Sequence, residues 1–257
     1  MRIRTRSIAG RMLAAALTCI GLVAGAMGGS ATAGNIAERR ILGFSPDTSV
    51  FAFETFGIQD GSGFPFATIY VIDTTTDSWL AGTPFRVRIE DETATVADAR
   101  AQVRQQAAPV FSAIELTDTY KTLAANPLGQ IGIDPLRMRF GEPLPSNPLA
   151  AMTPRYAATL DVYAADAPGR DCSILTDGPA KGFRLSVRNA VTDAVAVFHA
   201  DQEIPQSRGC PIGYRIDSVI VPDGYPATKA VVLLSVFTPG FEGPDRTFLA
   251  VSGSLPQ

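Results

Sequence analysis

Histidine is nearly absent from this sequence, in which His199 is the only one among 257 residues, beside three cysteines and one tryptophan. Zinc and other transition-metal sites take several imidazole or thiolate ligands, so this scarcity argues against them. The sequence also lacks the glycine-rich phosphate-binding and dinucleotide-binding motifs, His-Glu-x-x-His and Gly-x-Ser-x-Gly. We therefore expect no metal and no cofactor.

The same scarcity restricts nucleophilic catalysis. A Ser–His–Asp arrangement would have to use His199, which follows the strand-like run 194–198. A histidine at a strand end more often supports the structure or faces solvent than takes part in catalysis. No residue is assigned a catalytic role, and a binding protein is favoured over an enzyme.

Basic residues are concentrated at the amino terminus, where four arginines occur within twelve residues without an acid. An apolar run over residues 13–26 follows, and Ala31-Thr32-Ala33 places small residues at positions −3 and −1 of a cleavage site. This order is typical of a secretory signal peptide, residues 1–33, cleaved after Ala33. The run is too short and too rich in glycine for a membrane anchor. Lipid attachment at Cys19 is the alternative, although the three preceding residues fit the lipoprotein pattern poorly.

Long apolar runs are lacking beyond this leader, and the best of them, residues 230–237, has the length of a strand. We therefore expect no stable membrane insertion after cleavage. The formal charge changes from −3 to −7 when the leader is removed, because four arginines and no acid leave with it. A mildly acidic chain without a basic cluster attracts neither nucleic acid nor anionic lipid. Residues 34–257 are expected to form one mainly β secreted domain.

Two cysteines, Cys172 and Cys210, remain after removal of the leader. An even number in an oxidising compartment predicts a disulfide between them. Neither has a histidine or a second cysteine nearby in the sequence, which argues against a metal site or a catalytic thiol. A disulfide between them would close a loop of about 40 residues, and in the chain-entropy model a loop of that size stabilises a fold by about 3–4 kcal/mol.

Strand patterns dominate the remaining chain. Short runs rich in Val, Ile, Phe and Tyr recur between Gly, Pro, Asn and Asp turns, and residues 50–53 and 69–72 are apolar on both faces. Strands of that kind lie in the middle of a layered structure, covered on both sides. The sequence therefore predicts a mainly β domain, layered or partly propeller-like, with a Pro-rich connector over residues 126–155.

One prominent helix is predicted over residues 95–114. Thr95 is a suitable N-cap with Asp98 three residues later, and the apolar residues form a single stripe at a spacing of three and four. Pro109 is expected to kink or restart the helix, because it lacks an amide donor and crowds the preceding turn. The stripe indicates a helix packed across a sheet.

A hairpin over residues 50–72 carries a long loop, residues 57–65, in which an acid lies between glycines. We take five of its residues as the candidate binding loop: Asp60, Gly61, Ser62, Gly63 and Phe64. Residues 230–251 repeat the layout of strand, loop and strand, and their loop also combines Gly, Pro, Phe and an acid. Two such hairpins side by side would place both loops on one rim.

Four interpretations of the candidate binding loop remain open. It suits adhesion to an envelope protein or a glycan. Glu54, Asp60 and Asp73 lie on or beside the hairpin, so two of these carboxylates would serve a glycan hydrolase if they faced each other. Asp60 and nearby carbonyls suit Ca²⁺, although one acid is little charge for a tight site. The loop is otherwise an irregular turn with phenylalanines tucked beneath it.

The stretch Phe44-Ser45-Pro46-Asp47, followed by Phe51-Ala52-Phe53 and Ile69-Tyr70-Val71-Ile72-Asp73, resembles one blade of the TolB-like propellers. The resemblance implies a propeller-like arrangement of sheets. The sequence departs from that pattern at Thr48, where the blade has a glycine of positive φ, and it shows no repeated period.

A second resemblance covers nearly the whole chain after the leader. Ile41-Leu42-Gly43-Phe44-Ser45, Gln59-Asp60-Gly61-Ser62-Gly63-Phe64-Pro65 and Trp79-Leu80-Ala81-Gly82-Thr83-Pro84 are similar to segments of the domain-of-unknown-function 2259 family of secreted proteins in Gram-negative bacteria. The resemblance implies export to the periplasm or beyond and supplies no activity or site residue. We expect an envelope-associated binding protein, with a glycan hydrolase or a Ca²⁺-stabilised module as alternatives.

Overall fold

The computed structural model describes residues 35–147, 149, 153–176 and 178–257. The predicted signal peptide, residues 1–33, and the alternative at Cys19 lie outside the described residues. The described part consists of antiparallel strands, one α-helix and two single-turn 3-10 helices, which confirms a mainly β fold with one prominent helix.

The strands are β1 Glu38–Phe44, β2 Val50–Ile58, β3 Pro65–Asp73, β4 Ser78–Trp79, β5 Phe85–Arg88, β6 Tyr120–Ala125, β7 Arg137–Phe140, β8 Tyr156–Ala164, β9 Lys181–Asn189, β10 Val195–Ala200, β11 Gly213–Pro222, β12 Lys229–Pro239 and β13 Pro244–Ser254. The helix α1 spans Val96–Ala113, and the 3-10 helices span Cys172–Ile174 and Gln206–Arg208.

The first sheet contains β1 to β5, in the order β1-β2-β3-β4 with β5 also paired to β3. The strands β2 and β3 pair along their whole length, so the loop between them is residues 59–64, shorter than predicted. Side chains alternate along β2, so that Phe51 and Phe53 face one side while Val50 and Ala52 face the other. Both faces are covered, as the two-sided apolar pattern predicted.

The helix α1 covers the outer face of the first sheet. Thr95 and Asp98 form the predicted capping box, in which each side chain accepts a hydrogen bond from the other's backbone N–H. The predicted stripe faces the sheet through three fully buried residues, Ala99, Val103 and Ala107. The helix continues through Pro109 to Ala113, so the predicted restart does not occur. Val110 and Phe111 pack against the same sheet and hold the last turn in place.

The central sheet contains β6, β11, β12 and β13 in the order β13-β12-β11-β6. Val231 and Leu233 of β12 pack against the first sheet, while Val232 and Leu234 pack in the opposite direction. Each of these four side chains is completely buried. Burial of a side chain of this size contributes about 1.5–3 kcal/mol, which explains why β12 is apolar at nearly every position.

The outer sheet contains β7 to β10 in the order β10-β9-β8-β7. Phe183, Leu185 and Val187 of β9 are fully buried against the central sheet, and the intervening residues point outward. The molecule is therefore a stack of four layers: α1, the first sheet, the central sheet and the outer sheet.

This stack does not support the resemblance to a propeller blade. The blades of a propeller are arranged radially around a channel, whereas the three sheets of the described residues lie face to face. The turn that prompted the comparison is nevertheless left-handed, since Thr48 has a φ of 61° despite its branched side chain. Its carbonyl accepts hydrogen bonds from Thr74 Oγ1 and Lys229 Nζ, at 2.8 and 3.0 Å, which hold this conformation.

The disulfide between Cys172 and Cys210 is present, as predicted, with a Cα–Cα distance of 5.5 Å. It joins the loop between β8 and β9 to the segment before β11, and it is buried against Ala180 and Ile204. The strand β6 was not predicted, because its half-exposed Tyr-Lys-Thr-Leu-Ala-Ala sequence has little strand signal of its own. No helix of the described residues is long and apolar enough to cross a membrane.

Candidate functional site

A cleft of about 410 Å³ opens beside β13, the edge strand of the central sheet. The first sheet overhangs this edge on one side and the outer sheet on the other, so the cleft is bounded by all three sheets. Its lining comprises Phe53, Tyr70, Ile72, Asp77, Ser78, Trp79, His199, Pro205, Ser207, Arg208, Val236 and the β13 residues 247–251.

One wall of the cleft is aromatic. A series of rings leads out of the core between the first and central sheets, with centroid distances of 4.8 Å from Phe53 to Tyr70 and 6.0 Å from Tyr70 to Trp79. Trp79 ends the series at the mouth of the cleft, where it is 37% exposed. The Arg86 guanidinium lies over the Trp79 ring, 5.6 Å from its centroid. Rings of this kind offer large, rigid contact surfaces to a ligand.

The opposite wall carries a network of charged groups around His199. Its Nε2 lies 2.9 Å from Asp201 Oδ1 and its Nδ1 lies 3.6 Å from Asp77 Oδ2. The hydrogen bond to Asp201 and the nearby carboxylate of Asp77 raise the pKa of His199 to about 9, because they favour the charged form over the opposing effect of burial. The imidazolium is therefore the dominant form at neutral pH and has no free nitrogen to accept a proton.

The carboxylates of this network are saturated by further donors. Asp201 Oδ2 accepts hydrogen bonds from the Phe183 N–H at 2.9 Å and Arg208 Nη1 at 2.6 Å. Burial raises the pKa of Asp201, but the hydrogen bonds from His199 and Arg208 outweigh it, so that its pKa lies below the usual value. Asp77 Oδ1 accepts from the backbone N–H and the hydroxyl of Ser252, at 2.7 and 3.0 Å. Opposite charges thus offset each other throughout this wall.

The network also connects the layers of the molecule. Asp77 belongs to the turn before β4 of the first sheet, Ser252 to the central sheet, and His199 to β10 of the outer sheet. It occupies the place where the three sheets converge, which is one end of the cleft. The network therefore closes this end of the cleft and holds the three sheets together there.

The candidate binding loop lies at the opposite end of β13. Gly61 and Gly63 are exposed and adopt positive φ values of 79° and 72°, as such a turn requires. Asp60, Ser62 and Phe64 are half-buried. The loop is braced internally, since the Gln59 N–H donates to the Phe64 carbonyl at 2.8 Å and the Gly63 N–H donates to the Gln59 carbonyl at 3.0 Å.

Asn35 joins this loop to the loop of the second hairpin. Its side-chain oxygen accepts a hydrogen bond from the Asp60 N–H, and its own N–H donates to Asp245 Oδ1 at 2.7 Å. The two loops therefore lie on one rim, as the repeated layout predicted. The hairpins themselves pack face to face in different sheets and do not pair edge to edge.

The three predicted carboxylates are not brought together. Asp60 and Asp73 lie at opposite ends of the hairpin of β2 and β3. Glu54, between them, is completely buried and accepts hydrogen bonds from Arg100 and Arg104 of α1, on the face away from the cleft. No pairing of these acids for glycan hydrolysis is present. No group of three or more His, Cys, Asp or Glu side chains within the described residues is arranged to hold a metal ion.

The cleft could not be predicted from the sequence, because its residues come from distant parts of the chain. Asp77 and His199 are separated by more than a hundred residues, and neither belongs to a recognised motif. The available signals were the single tryptophan beside a Thr-Thr-Thr-Asp turn and the single histidine at a strand end. Each is unremarkable alone, and only the stacking of the sheets places them on one cleft.

Comparison with known proteins gives one match. A family model described as "Predicted secreted protein (DUF2259)" matches residues 52–254. No curated protein and no solved structure matches the chain. The match extends from β2 to the end of β13, so it includes most of the first sheet, the other two sheets, α1 and every lining residue of the cleft. The chain thus belongs to the DUF2259 family of predicted secreted proteins.

Proposed function

We propose that this chain is an exported, non-catalytic binding protein of the bacterial envelope, and that the cleft beside β13 is its binding site. The observation that carries the proposal is the composition of the cleft. It combines an aromatic wall ending at Trp79 with a wall whose charges are already paired around His199. A site of this kind supplies apolar contact and shape, which are the usual sources of affinity in binding pockets.

Binding is favoured over catalysis by the state of the titratable groups. A general base needs a free acceptor near the reacting proton, and a nucleophile needs a base within hydrogen-bond reach. In the cleft, His199 holds its protons between two carboxylates, and Asp77 and Asp201 each accept several hydrogen bonds. These groups serve to position one another.

The compartment we propose is the periplasm of a Gram-negative cell, and the partner is a component of the envelope. Export agrees with the family description and with the disulfide, which persists in an oxidising compartment. The candidate binding loop lies on the rim at the far end of β13, where Asn35 holds it, so it is available as a secondary contact for a partner seated in the cleft.

Site-specific photo-crosslinking in the cell envelope tests the proposal. A benzophenone amino acid is introduced at the exposed Ser78 in the cleft, at Ser62 in the candidate binding loop, or at Val191 on a distant turn of the outer sheet, which is 77% exposed. We expect a discrete crosslinked species from Ser78, a weaker yield of the same species from Ser62, and none from Val191.

The three positions separate the outcomes. Crosslinking from Ser62 alone would move the binding site from the cleft to the rim and would overturn the proposal. Equal crosslinking from all three positions would indicate non-specific contact and would overturn it as well.

A further inference from the structure

The backbone of β13 presents hydrogen-bonding groups on both of its sides. In an antiparallel ladder, residues that bond to the neighbouring strand alternate with residues whose N–H and C=O point the other way. Just beyond β13, the Leu255 N–H donates to the Thr228 carbonyl at 2.8 Å, which places the odd-numbered residues of β13 in the ladder with β12. The even-numbered residues therefore direct their N–H and C=O groups to the open edge.

The two ends of this open edge are occupied by other parts of the chain. At one end, the Arg246 N–H donates to the Asn35 carbonyl at 2.9 Å, and the Arg246 carbonyl accepts from the Ala37 N–H at 3.0 Å. Ile36 thus forms a parallel bridge with Arg246. At the other end, the Ser252 N–H donates to Asp77 Oδ1.

Between these ends, the edge has no partner in the described residues. The N–H and C=O groups of Phe248 and Ala250 are directed to the cleft, and no described backbone or side chain bonds to them. The two residues are only 4% and 6% exposed, so these groups lie at the base of a groove. Backbone N–H and C=O groups in native proteins are nearly always paired, so these four adjacent groups are suited to pair with a strand that enters the cleft.

We infer that the cleft binds an extended polypeptide segment, which adds to the central sheet as a strand beside Phe248 and Ala250. The inference rests on the proposed function, because it names the class of ligand for the same cleft. Strand addition is a common mode of peptide recognition, in which backbone hydrogen bonds provide affinity and pockets for alternate side chains provide selectivity. The segment that fits between Ile36 and Asp77 is about five residues long at roughly 3.3 Å per residue.

The form of the edge favours a polypeptide over other ligands. The unpaired groups repeat at the two-residue interval of a strand. The C=O and N–H groups of an extended peptide have the same spacing, so each can pair with an N–H or C=O group of the edge. The chain already uses the same edge in this way, since Ile36 forms its parallel bridge immediately beside the open part. Alternate side chains of an added strand would face Tyr70 and Trp79 of the aromatic wall and the neighbouring Ile72. We therefore assign apolar side chains to those positions of the segment.

Peptide selection on the intact exported protein tests the inference. A phage-displayed library of random heptapeptides is selected on the immobilised protein, and the enriched peptides are synthesised. Their binding is measured through the emission of Trp79, the only tryptophan of the chain. We expect enriched peptides with apolar residues at alternate positions. N-methylation of residues in one alternating register should weaken binding at least tenfold, and N-methylation in the other register should change it less than twofold.

A matched pair of proline variants tests the edge itself. Ala250→Pro removes an edge-facing N–H from the open part, and Ser254→Pro removes one from the same strand beyond Asp77. Both N–H groups lie outside the ladder with β12, and the chain already has a proline in this register at Pro244. We expect at least tenfold weaker binding for Ala250→Pro and less than a twofold change for Ser254→Pro. The N-methylated peptides, used with the unaltered protein, decide the matter if Ala250→Pro does not fold.

The outcomes separate the inference from the proposed function. Failure to enrich any peptide, or equal effects of N-methylation in both registers, would overturn strand addition. If Trp79 instead responded to chitohexaose while Ser78 still gave a crosslink, the cleft would remain a binding site for a glycan and only the inference would fail. Absence of both a Trp79 response and a Ser78 crosslink would overturn the two together.

Discussion

His199 shows how one side chain connects stability to pH in this protein. Its position between Asp77 and Asp201 raises its pKa from 6.5 to about 9. The folded state therefore binds a proton that the unfolded chain releases above pH 6.5. The resulting stabilisation is complete below about pH 6.5 and is lost as the pH rises through about 9.

The first prediction concerns this window. His199→Gln should reduce the free energy of unfolding at pH 6 by about 1–2 kcal/mol, a value below the full linkage because the imidazole is partly exposed to solvent. Between pH 6.5 and 9 the unaltered protein should lose stability, and His199→Gln should lose much less. Urea denaturation of both proteins from pH 6 to pH 9 measures the difference in the free energy of unfolding at pH 6 and its change with pH. Parallel pH profiles for the two proteins would show that the imidazolium does not stabilise the convergence of the sheets.

At the scale of elements, α1 is attached to the first sheet by charge as well as by its apolar stripe. The fully buried Glu54 accepts two hydrogen bonds from Arg100, both at 3.0 Å, and one from Arg104 at 2.6 Å. The Arg100 guanidinium also lies 3.8 Å from the centre of the Phe56 ring. Glu54 is the one acid on a strand that is otherwise apolar toward the helix. Its buried charge is tolerated because two arginines of α1 pair with it.

The second prediction follows from this contact. Glu54→Gln should lower the free energy of unfolding by about 2–3 kcal/mol, because a buried site loses its charge while two arginines remain beside it. Glu90→Gln is the matched control, since the pair of Glu90 with Arg88 is exposed on both sides and should matter by less than about 0.5 kcal/mol. Guanidinium denaturation of both variants provides the comparison. Equal losses in the two variants would contradict a helix held by a buried ion pair.

At the scale of the whole molecule, the disulfide joins the loop between β8 and β9 of the outer sheet to the segment that leads from the outer sheet into β11 of the central sheet. The third prediction is that Cys172→Ser with Cys210→Ser lowers the free energy of unfolding by about 2–4 kcal/mol, because the cross-link restricts the unfolded chain. Equilibrium denaturation of the double variant, beside the unaltered protein with and without reductant, measures it. A double variant as stable as the oxidised protein would refute this expectation.

The fourth prediction concerns maturation. Intact-mass spectrometry of the protein from a periplasmic fraction should show a chain that begins at Gly34 and lacks two hydrogens through the disulfide. Ala33→Arg should prevent this cleavage, because a small residue is required before the cut, and the longer precursor should accumulate. A lipid-modified chain beginning at Cys19 would instead support the lipoprotein alternative.

Much of the fold was predictable from the sequence because its signals are local. Thr95 and Asp98 cap a helix through contacts three residues apart, and alternating or two-sided apolar runs mark strands wherever they occur. The disulfide could be predicted from two facts alone, the even number of cysteines left after the leader and the oxidising compartment to which the chain is exported. The weak strand β6 could not be found in this way, because its partner β11 lies almost a hundred residues away and provides the edge that makes it a strand.

Export, the mainly β class, the capped helix and the cysteine pair could be predicted from the amino-acid order, since each depends on composition or on neighbours along the chain. The face-to-face stacking of the sheets, the pairing of Glu54 with two arginines of α1, and the cleft shared by Asp77, Trp79 and His199 became evident only from the three-dimensional arrangement. The physical reason is that a strand's pattern specifies which residues are buried, whereas the partner against which they are buried depends on contacts between distant segments. The open edge of β13 belongs to that second class.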